Sequence, residues 1–420
     1  MIDHQKAVSP SWTWALAAIA LTVVLATALI SMASGPASAA DAGSCDPARP
    51  HAAGDFDETI ISGGLTREYI LHVPPSYTGT ETVPVVLNYH GLGSNASAQQ
   101  LYSDLPAKAD EAGFIVVALQ ALGDPASFNF IQLLPEPDDV GFTADLLDAL
   151  GSALCIDPAQ VYSTGMSNGA LMSVRLACNL ADRIAAIAPV AGVYFPPAIV
   201  ELSDEPPCSS TRPVPVIAFH GTADTVIPFD GGAGILGLTW RDIDDEVMPE
   251  WAAHNGCAGV PTGEQAAAGV RLVRYEACDQ GATVELYIIE DVDLKTPGDQ
   301  GGGHTWPGAP FEIGPTAQEI SATDLMWEFF QTHSLPEAQE LTPTPTLTPT
   351  PTLALTASPQ PTATALATVL PAVLPATGAG DSSDGAGVLA GIIAGITTAA
   401  IALGGAAWYA RRVRRSNSAG

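Results

Sequence analysis

The pattern Gly165-Met166-Ser167-Asn168-Gly169 stands between a strand-forming run at residues 160–164 and helix-forming text at 168–180. A chain that turns straight from strand to helix has no room for side chains at the two glycine positions. In return the turn holds the serine in strained geometry, with Oγ exposed above the sheet. Such a turn demands a strand before it and a helix after it, and it makes Ser167 the candidate nucleophile. Serine attacks only when a base takes its proton and a carboxylate orients that base.

Residues 55–335 are the part of the chain able to build a core, and they alternate two kinds of text. Strands are expected at 69–73, 83–89, 114–119, 160–164, 184–189, 214–219 and 284–289, and helices at 96–112, 142–154, 168–180 and 322–332. The alternation implies βαβ units in one α/β domain, a mostly parallel sheet with helices on both faces. Sheets of this kind present catalytic groups at the carboxyl ends of their strands, here in the chain order serine, acid, histidine. Asp224 follows the strand at 214–219 and is the expected acid, with Asp230, Asp242, Asp244 and Asp245 as competitors. Beyond it lie His254, His304 and His333; His254 sits in helical text and His333 ends the last helix. His304 stands in the glycine-rich loop Gly301-Gly302-Gly303-His304-Thr305-Trp306-Pro307-Gly308 and is the expected base. The oxyanion of an acyl transfer needs preorganised N–H donors. The backbone of Asn168 supplies one, and the loop His90-Gly91-Leu92-Gly93 supplies the other through Leu92, with Gly91 in reserve. His90 itself reads as a brace for that loop.

GMSNGA, AFHGTAD and GGGHTWPG, with HGLG near the front and Asp138-Asp139-Val140-Gly141-Phe142 between, occur in one order along residues 65–333. Together they resemble the polyhydroxybutyrate depolymerase and feruloyl/acetylxylan esterase family. The resemblance implies an α/β-hydrolase fold, no cofactor or metal, and action on ester bonds of polymers or their fragments, with Ser167, Asp224 and His304 as triad. Trp306, beside the base, is expected to line the substrate cleft, with core packing as the other reading. Asp139 reads as a helix cap rather than a catalytic group. A peptidase on the same fold and a catalytically idle surface adhesin are the alternatives; the complete serine, acid, histidine and HGLG set speaks against the adhesin.

The flanks bear on placement. A short stretch with Lys6, an apolar run at 12–32 and Ala37-Ser38-Ala39 read as an export signal over residues 1–40, or as an uncleaved signal anchor. Residues 41–54 then lead into the domain. Residues 336–373 are rich in Thr and Pro, with LTPTPT twice over. This composition cannot build a core and is expected to form a disordered, extended spacer, at about 3.1 Å per residue. Next come Leu374-Pro375-Ala376-Thr377-Gly378, an uncharged stretch at 386–410 suited to a transmembrane helix, and Arg411, Arg412, Arg414 and Arg415 in a basic cytoplasmic tail at 411–420. The LPATG segment resembles the sorting signal of Gram-positive cell-wall proteins, in which a sortase cuts between Thr377 and Gly378. A plain membrane anchor is the other reading, and both place the domain outside the cell. A net charge of −30, from 45 acidic and 15 basic residues, repels phosphate backbones and excludes nucleic acid as a partner. The partners left are an ester substrate and either the membrane or peptidoglycan. Six cysteines in an exported chain point to disulfides. Cys257 is expected to pair with Cys278, Cys178 with Cys208 and, by elimination, Cys45 with Cys155.

Overall fold

Valine, isoleucine and leucine dominate the short runs at the centre of the molecule, where β-branched side chains pack well on a pleated surface covered on both sides. The computed structural model describes residues 43–131, 137–196, 208, 210, 212–290, 303–311 and 313–336. The expected export signal, spacer, LPATG motif (Thr377 and Gly378 included), apolar stretch at 386–410 and basic tail lie outside these residues. No helix among the described residues is long and apolar enough to cross a membrane.

In chain order the strands are β1 (Gly54–Ser62), β2 (Leu65–Val73), β3 (Val83–Tyr89), β4 (Ile115–Leu119), β5 (Ile156–Met166), β6 (Ala186–Val190), β7 (Val216–Gly221), β8 (Asp230–Ala233), β9 (Thr239–Asp242), β10 (Thr262–Ala267), β11 (Val270–Tyr275) and β12 (Val284–Ile289). The helices are α1 (Ala96–Ser103), α2 (Leu105–Ala112), α3 (Asp139–Ala153), α4 (Asn168–Asn179), α5 (Met248–His254) and α6 (Ala322–Phe330). One sheet carries ten strands in the order β1-β2-β4-β3-β5-β6-β7-β12-β11-β10. From β4 through β12 every neighbour is parallel. Both edges are antiparallel.

Successive residues of β3 point to opposite faces, as the period of a strand requires. Val85, Leu87 and Tyr89 join a core that holds Phe142 and Leu146 of α3, Leu171 and Met172 of α4 and Trp251 of α5. Val86 joins a second core with Tyr102 of α1, Leu105 of α2 and Met326, Trp327 and Phe330 of α6. Helices therefore cover both faces.

The structure differs from the sequence expectation in three places. The helix expected over 96–112 is two helices, broken at Asp104, whose φ is 55°. Pro106 accounts for the break: it has no N–H to continue the hydrogen-bond ladder of the first helix, whereas in the first turn of α2, where it stands, no such donor is needed. The antiparallel strands β1, β10 and β11 and the small β8–β9 pair were not expected, because a strand not covered on both faces need not show a continuous apolar run. β1 turns into β2 through Gly63 and Gly64, both at positive φ, the requirement of a tight two-residue hairpin. The cap of α3 is Asp138, not Asp139. Asp138 accepts from the Gly141 N–H at 2.8 Å. Asp139 is instead buried in an ion pair with Arg67.

Disulfides join Cys45 to Cys155, Cys178 to Cys208 and Cys257 to Cys278. The first ties the segment before β1 to the start of β5. Its neighbour Arg49 reinforces that join by donating to the carbonyl of Leu154 at 3.1 Å.

Candidate active site

Strand register assembles the site. Tyr89 at the end of β3 lies opposite Gly165 of β5, Met166 opposite Val190 of β6, Val190 opposite Phe219 of β7, and Gly221 opposite Ile289 of β12. The loops that carry His90, Ser167 and Asp224 thus leave the same end of the sheet, from β3, from its neighbour β5 and, one strand beyond β6, from β7, with the His304 loop beside them.

Ser167 is the residue between β5 and α4, with φ 56° and ψ −118°. A non-glycine residue rarely holds a positive φ, and here neighbours enforce it. The Ser167 N–H donates to the Val190 carbonyl at 2.9 Å, and the Ser167 carbonyl accepts from the Leu171 N–H at 3.0 Å. The flanking glycines are required by close approach. A Cβ on Gly169 would lie 2.1 Å from the Tyr89 carbonyl oxygen, and one on Gly165 would lie 2.6 Å from the same atom.

Asp224 is buried in the loop after β7. Its Oδ1 accepts the N–H groups of Val226 at 2.7 Å and Ile227 at 2.9 Å. Its Oδ2 accepts from His304 Nδ1 at 2.7 Å. A carboxylate has no hydrogen to give, so Nδ1 carries it and Nε2 is left as the basic nitrogen of the ring. Burial by itself would raise the Asp224 carboxyl, but the His304 and His220 imidazoles outweigh it and hold the group well below the ordinary carboxylate range. Asp224 is therefore ionised at neutral pH. Gly303 lets the two loops meet: its φ is 111°, and a Cβ on Gly221 would lie 2.2 Å from the Gly303 Cα.

The competing histidines are engaged elsewhere. His254 faces Ser210 Oγ at 3.2 Å, and His333 faces Thr283 Oγ1 at 3.1 Å.

The loop after β3 approaches Ser167. A Cβ on Gly91 would lie 3.6 Å from the Ser167 Cβ, which places Leu92 one residue further along the same turn. The N–H groups of Leu92 and Asn168 meet no acceptor among the described residues, whereas the Gly93 N–H is taken by the Ala126 carbonyl at 2.7 Å. His90 braces this loop. Its Nδ1 lies 2.7 Å from the Gly91 carbonyl oxygen, and its Nε2 accepts the Ala121 N–H at 3.1 Å. Burial lowers its pKa to about 4, against the opposing pull of the Gly91 carbonyl. It remains neutral, as an accepting Nε2 requires.

Trp306 does not line a cleft. It is 1% exposed, its indole N–H donates to Thr323 Oγ1 at 3.0 Å, and its backbone N–H donates to the Tyr102 hydroxyl at 3.0 Å. An indole so enclosed fixes the start of the segment after His304, in line with the core-packing reading.

Two supports had no signal in the sequence. The Asn168 side chain clasps the loop after β4, accepting the Phe128 N–H at 2.8 Å and donating to the Phe128 carbonyl at 3.1 Å. Asp139, held by Arg67, accepts the Asn129 N–H at 2.6 Å from the other side. Both contacts join residues distant in the chain through ordinary polar types, so spacing did not reveal them.

A central parallel sheet, helices on both faces and a strained serine between strand and helix define an α/β-hydrolase. No family model matches the chain. Feruloyl esterase B of Piromyces equi is 33% identical over 244 residues, 57% of this chain and 42% of that protein. NocK of Nocardia uniformis subsp. tsuyamanensis, named as an esterase, is 32% identical over 295 residues, 64% of this chain and 80% of the relative. The chain thus spans less than half of the first relative and four-fifths of the second. Feruloyl esterase D of Neurospora crassa is 27% identical over 286 residues, covering 65% of this chain and 84% of that one. Among solved structures, the acetyl xylan esterase of Aspergillus awamori aligns with a TM-score of 0.47 at 15% identity, over 66% of this chain and 99% of that one. The chain belongs to the family of esterases that NocK represents, a class of carboxylic ester hydrolase.

Proposed function

We propose that this protein is an extracellular serine esterase that hydrolyses carboxylic ester bonds of polymers or oligomers through Ser167, His304 and Asp224. The observation that carries the proposal is the placement, at one end of the sheet, of a half-buried serine held at positive φ and a buried carboxylate–imidazole pair at 2.7 Å. His304 Nε2 takes the Ser167 proton as Oγ attacks the ester carbonyl. The negative charge that develops on the carbonyl oxygen is met by the N–H groups of Leu92 and Asn168, each worth about 3 kcal/mol in comparable sites. Collapse of the intermediate passes the proton from His304 to the leaving alcohol and leaves an acyl-enzyme on Ser167. A water, deprotonated by His304, then releases the acid and restores the serine.

The names of the relatives favour a feruloyl ester, and acetylxylan and polyhydroxybutyrate-type oligomers are the other substrate classes. The purified domain is expected to hydrolyse methyl ferulate or acetylated xylan at least tenfold faster, in kcat/KM, than hydroxybutyrate oligomers and a peptide amide. Hydrolysis of the amide alone would replace the esterase by a peptidase. Absence both of all turnover and of labelling by a fluorophosphonate would replace it by a non-catalytic surface protein.

Placement at the cell wall belongs to the same proposal. It is supported by the order spacer, LPATG, apolar stretch, arginines. A spacer must lie between domain and anchor, the cut site must lie outside the membrane, and the arginines must stay inside until transfer. The mature protein is expected to end at Thr377 and to leave cells on muralytic digestion but not with detergent. Release by detergent alone of a chain that still carries residues 411–420 would mean a simple membrane anchor.

A further inference from the structure

His220 lies beside the catalytic pair but has no place in the proton transfers, and it is 1% exposed. It is the penultimate residue of β7, so strand geometry fixes its ring before the loop of Asp224 begins. Its Nε2 is 2.8 Å from the Ile227 carbonyl oxygen and 3.1 Å from Asp224 Oδ2. Both are acceptors, so Nε2 carries the hydrogen. Its Nδ1 is buried with no partner among the described residues. A polar nitrogen left alone in a core costs stability, and a residue type with no second nitrogen to satisfy would fill the same space at less cost. What the imidazole contributes in return is one N–H placed between two specific oxygens.

These two oxygens govern the acid from both sides. Ile227 is the residue whose N–H holds Asp224 Oδ1 at 2.9 Å, and Oδ2 is the atom that binds His304. By tying the Ile227 carbonyl back to β7, His220 closes the turn that grips Oδ1. By presenting its N–H edge to Oδ2, it fixes where His304 must point. Gly192 completes the link to the nucleophile: a Cβ there would lie 3.1 Å from the Ser167 carbonyl oxygen and 3.5 Å from Ile227 Cδ1. The Ile227 turn, Gly192 and Ser167 are thus packed in contact.

We propose that His220 is a positioning residue for this esterase: it acts through Ile227 and Asp224 to set the orientation of the His304 imidazole. His220 so placed presupposes Asp224 as the acid. Replacing His220 by leucine keeps apolar volume and removes the donor. The expected result with p-nitrophenyl acetate is a fall in kcat of about tenfold or more, the scale of one misplaced hydrogen bond, with KM within about twofold because no substrate contact is lost. Glutamine places its amide N–H near the position of Nε2, and His220→Gln should recover most of kcat. Asparagine reaches only as far as Nδ1, and His220→Asn should stay low. The downfield proton resonance of the short His304–Asp224 hydrogen bond should weaken or move in the leucine and asparagine variants and return with glutamine.

The proposal is overturned if His220→Leu keeps wild-type kcat, if the loss falls in KM instead, or if glutamine is no better than asparagine. The Gln-against-Asn comparison decides the matter should the leucine variant not fold. Asp224→Asn is assayed alongside and is expected to lose at least about a hundredfold in kcat. Wild-type activity there would remove Asp224 as the acid, an outcome distinct from failure of His220 to position it.

Discussion

Ser167→Ala is expected to abolish ester hydrolysis, with kcat on p-nitrophenyl acetate reduced by at least about a thousandfold, as when a triad nucleophile is removed from other serine hydrolases. No other hydroxyl stands on the turn between β5 and α4, and the Asp224–His304 pair without Ser167 has only water to activate. The fold should not notice the change. Alanine and serine both carry a Cβ, so the strain at φ 56° is the same for either, and the hydrogen bonds that hold the turn run through the backbone. The melting temperature of the variant should lie within about 2 °C of wild type, the shift that a change of about 1 kcal/mol would produce in a domain of this size. His304→Ala should be equally inactive. The double variant should be no worse than either single one, because the groups act as a unit. Residual activity above about one per cent of wild type, with contaminating esterase excluded, would remove Ser167 from the nucleophile role.

Gly169→Ala should strike the fold instead of the chemistry. The added methyl would sit 2.1 Å from the Tyr89 carbonyl oxygen, 2.5 Å from its carbon and 2.8 Å from the His90 carbonyl oxygen. All three are backbone atoms of β3 and the turn that follows it, so no side chain can swing away. Relief requires the first turn of α4 to lift off the sheet, and that turn holds Ser167 and the Asn168 N–H. The variant is expected to lose about 3 kcal/mol or more of stability, or to yield no soluble protein. Gly151→Ala is the matched control. There the methyl would meet only Ile156 Cδ1 at 3.9 Å, an ordinary contact, in the interior of α3. Alanine should stabilise that helix by roughly 0.5–1 kcal/mol. Urea denaturation read by circular dichroism separates the two. A wild-type midpoint for Gly169→Ala would mean that helix and strand approach less closely than the structure shows.

The chain declared those features that arise from local sterics. A glycine on each side of Ser167 follows from one tight turn, and the turn predicts both the strand before it and the helix after it. Asp224 and His304 were nominated because a parallel sheet gathers loops at one end, and their atoms stand 2.7 Å apart. Runs rich in β-branched residues marked β3 and β12 to the residue, since a strand covered on both faces must be apolar throughout. Pro106 is readable as a helix breaker, but it stands in the first turn of α2, where a helix tolerates proline, so it marks a second helix rather than an end.

Only the tertiary structure decided what depends on distant neighbours. Trp306, two residues after His304, suits a cleft wall or a core equally well. The decision came from Tyr102 and Thr323, 204 and 17 residues away in the chain, which take its two N–H groups into the interior. Asp139 next to a true cap is indistinguishable from one until Arg67, 72 residues earlier, lies against it. His220 reads as the end of a strand, and nothing in AFHGTAD says that its ring turns toward Asp224 rather than away. Residue type and spacing report what a segment must satisfy locally. Which groups satisfy it across the sheet is settled only when register and twist bring the strands together, because hydrogen bonds between remote residues leave no periodic trace along the chain.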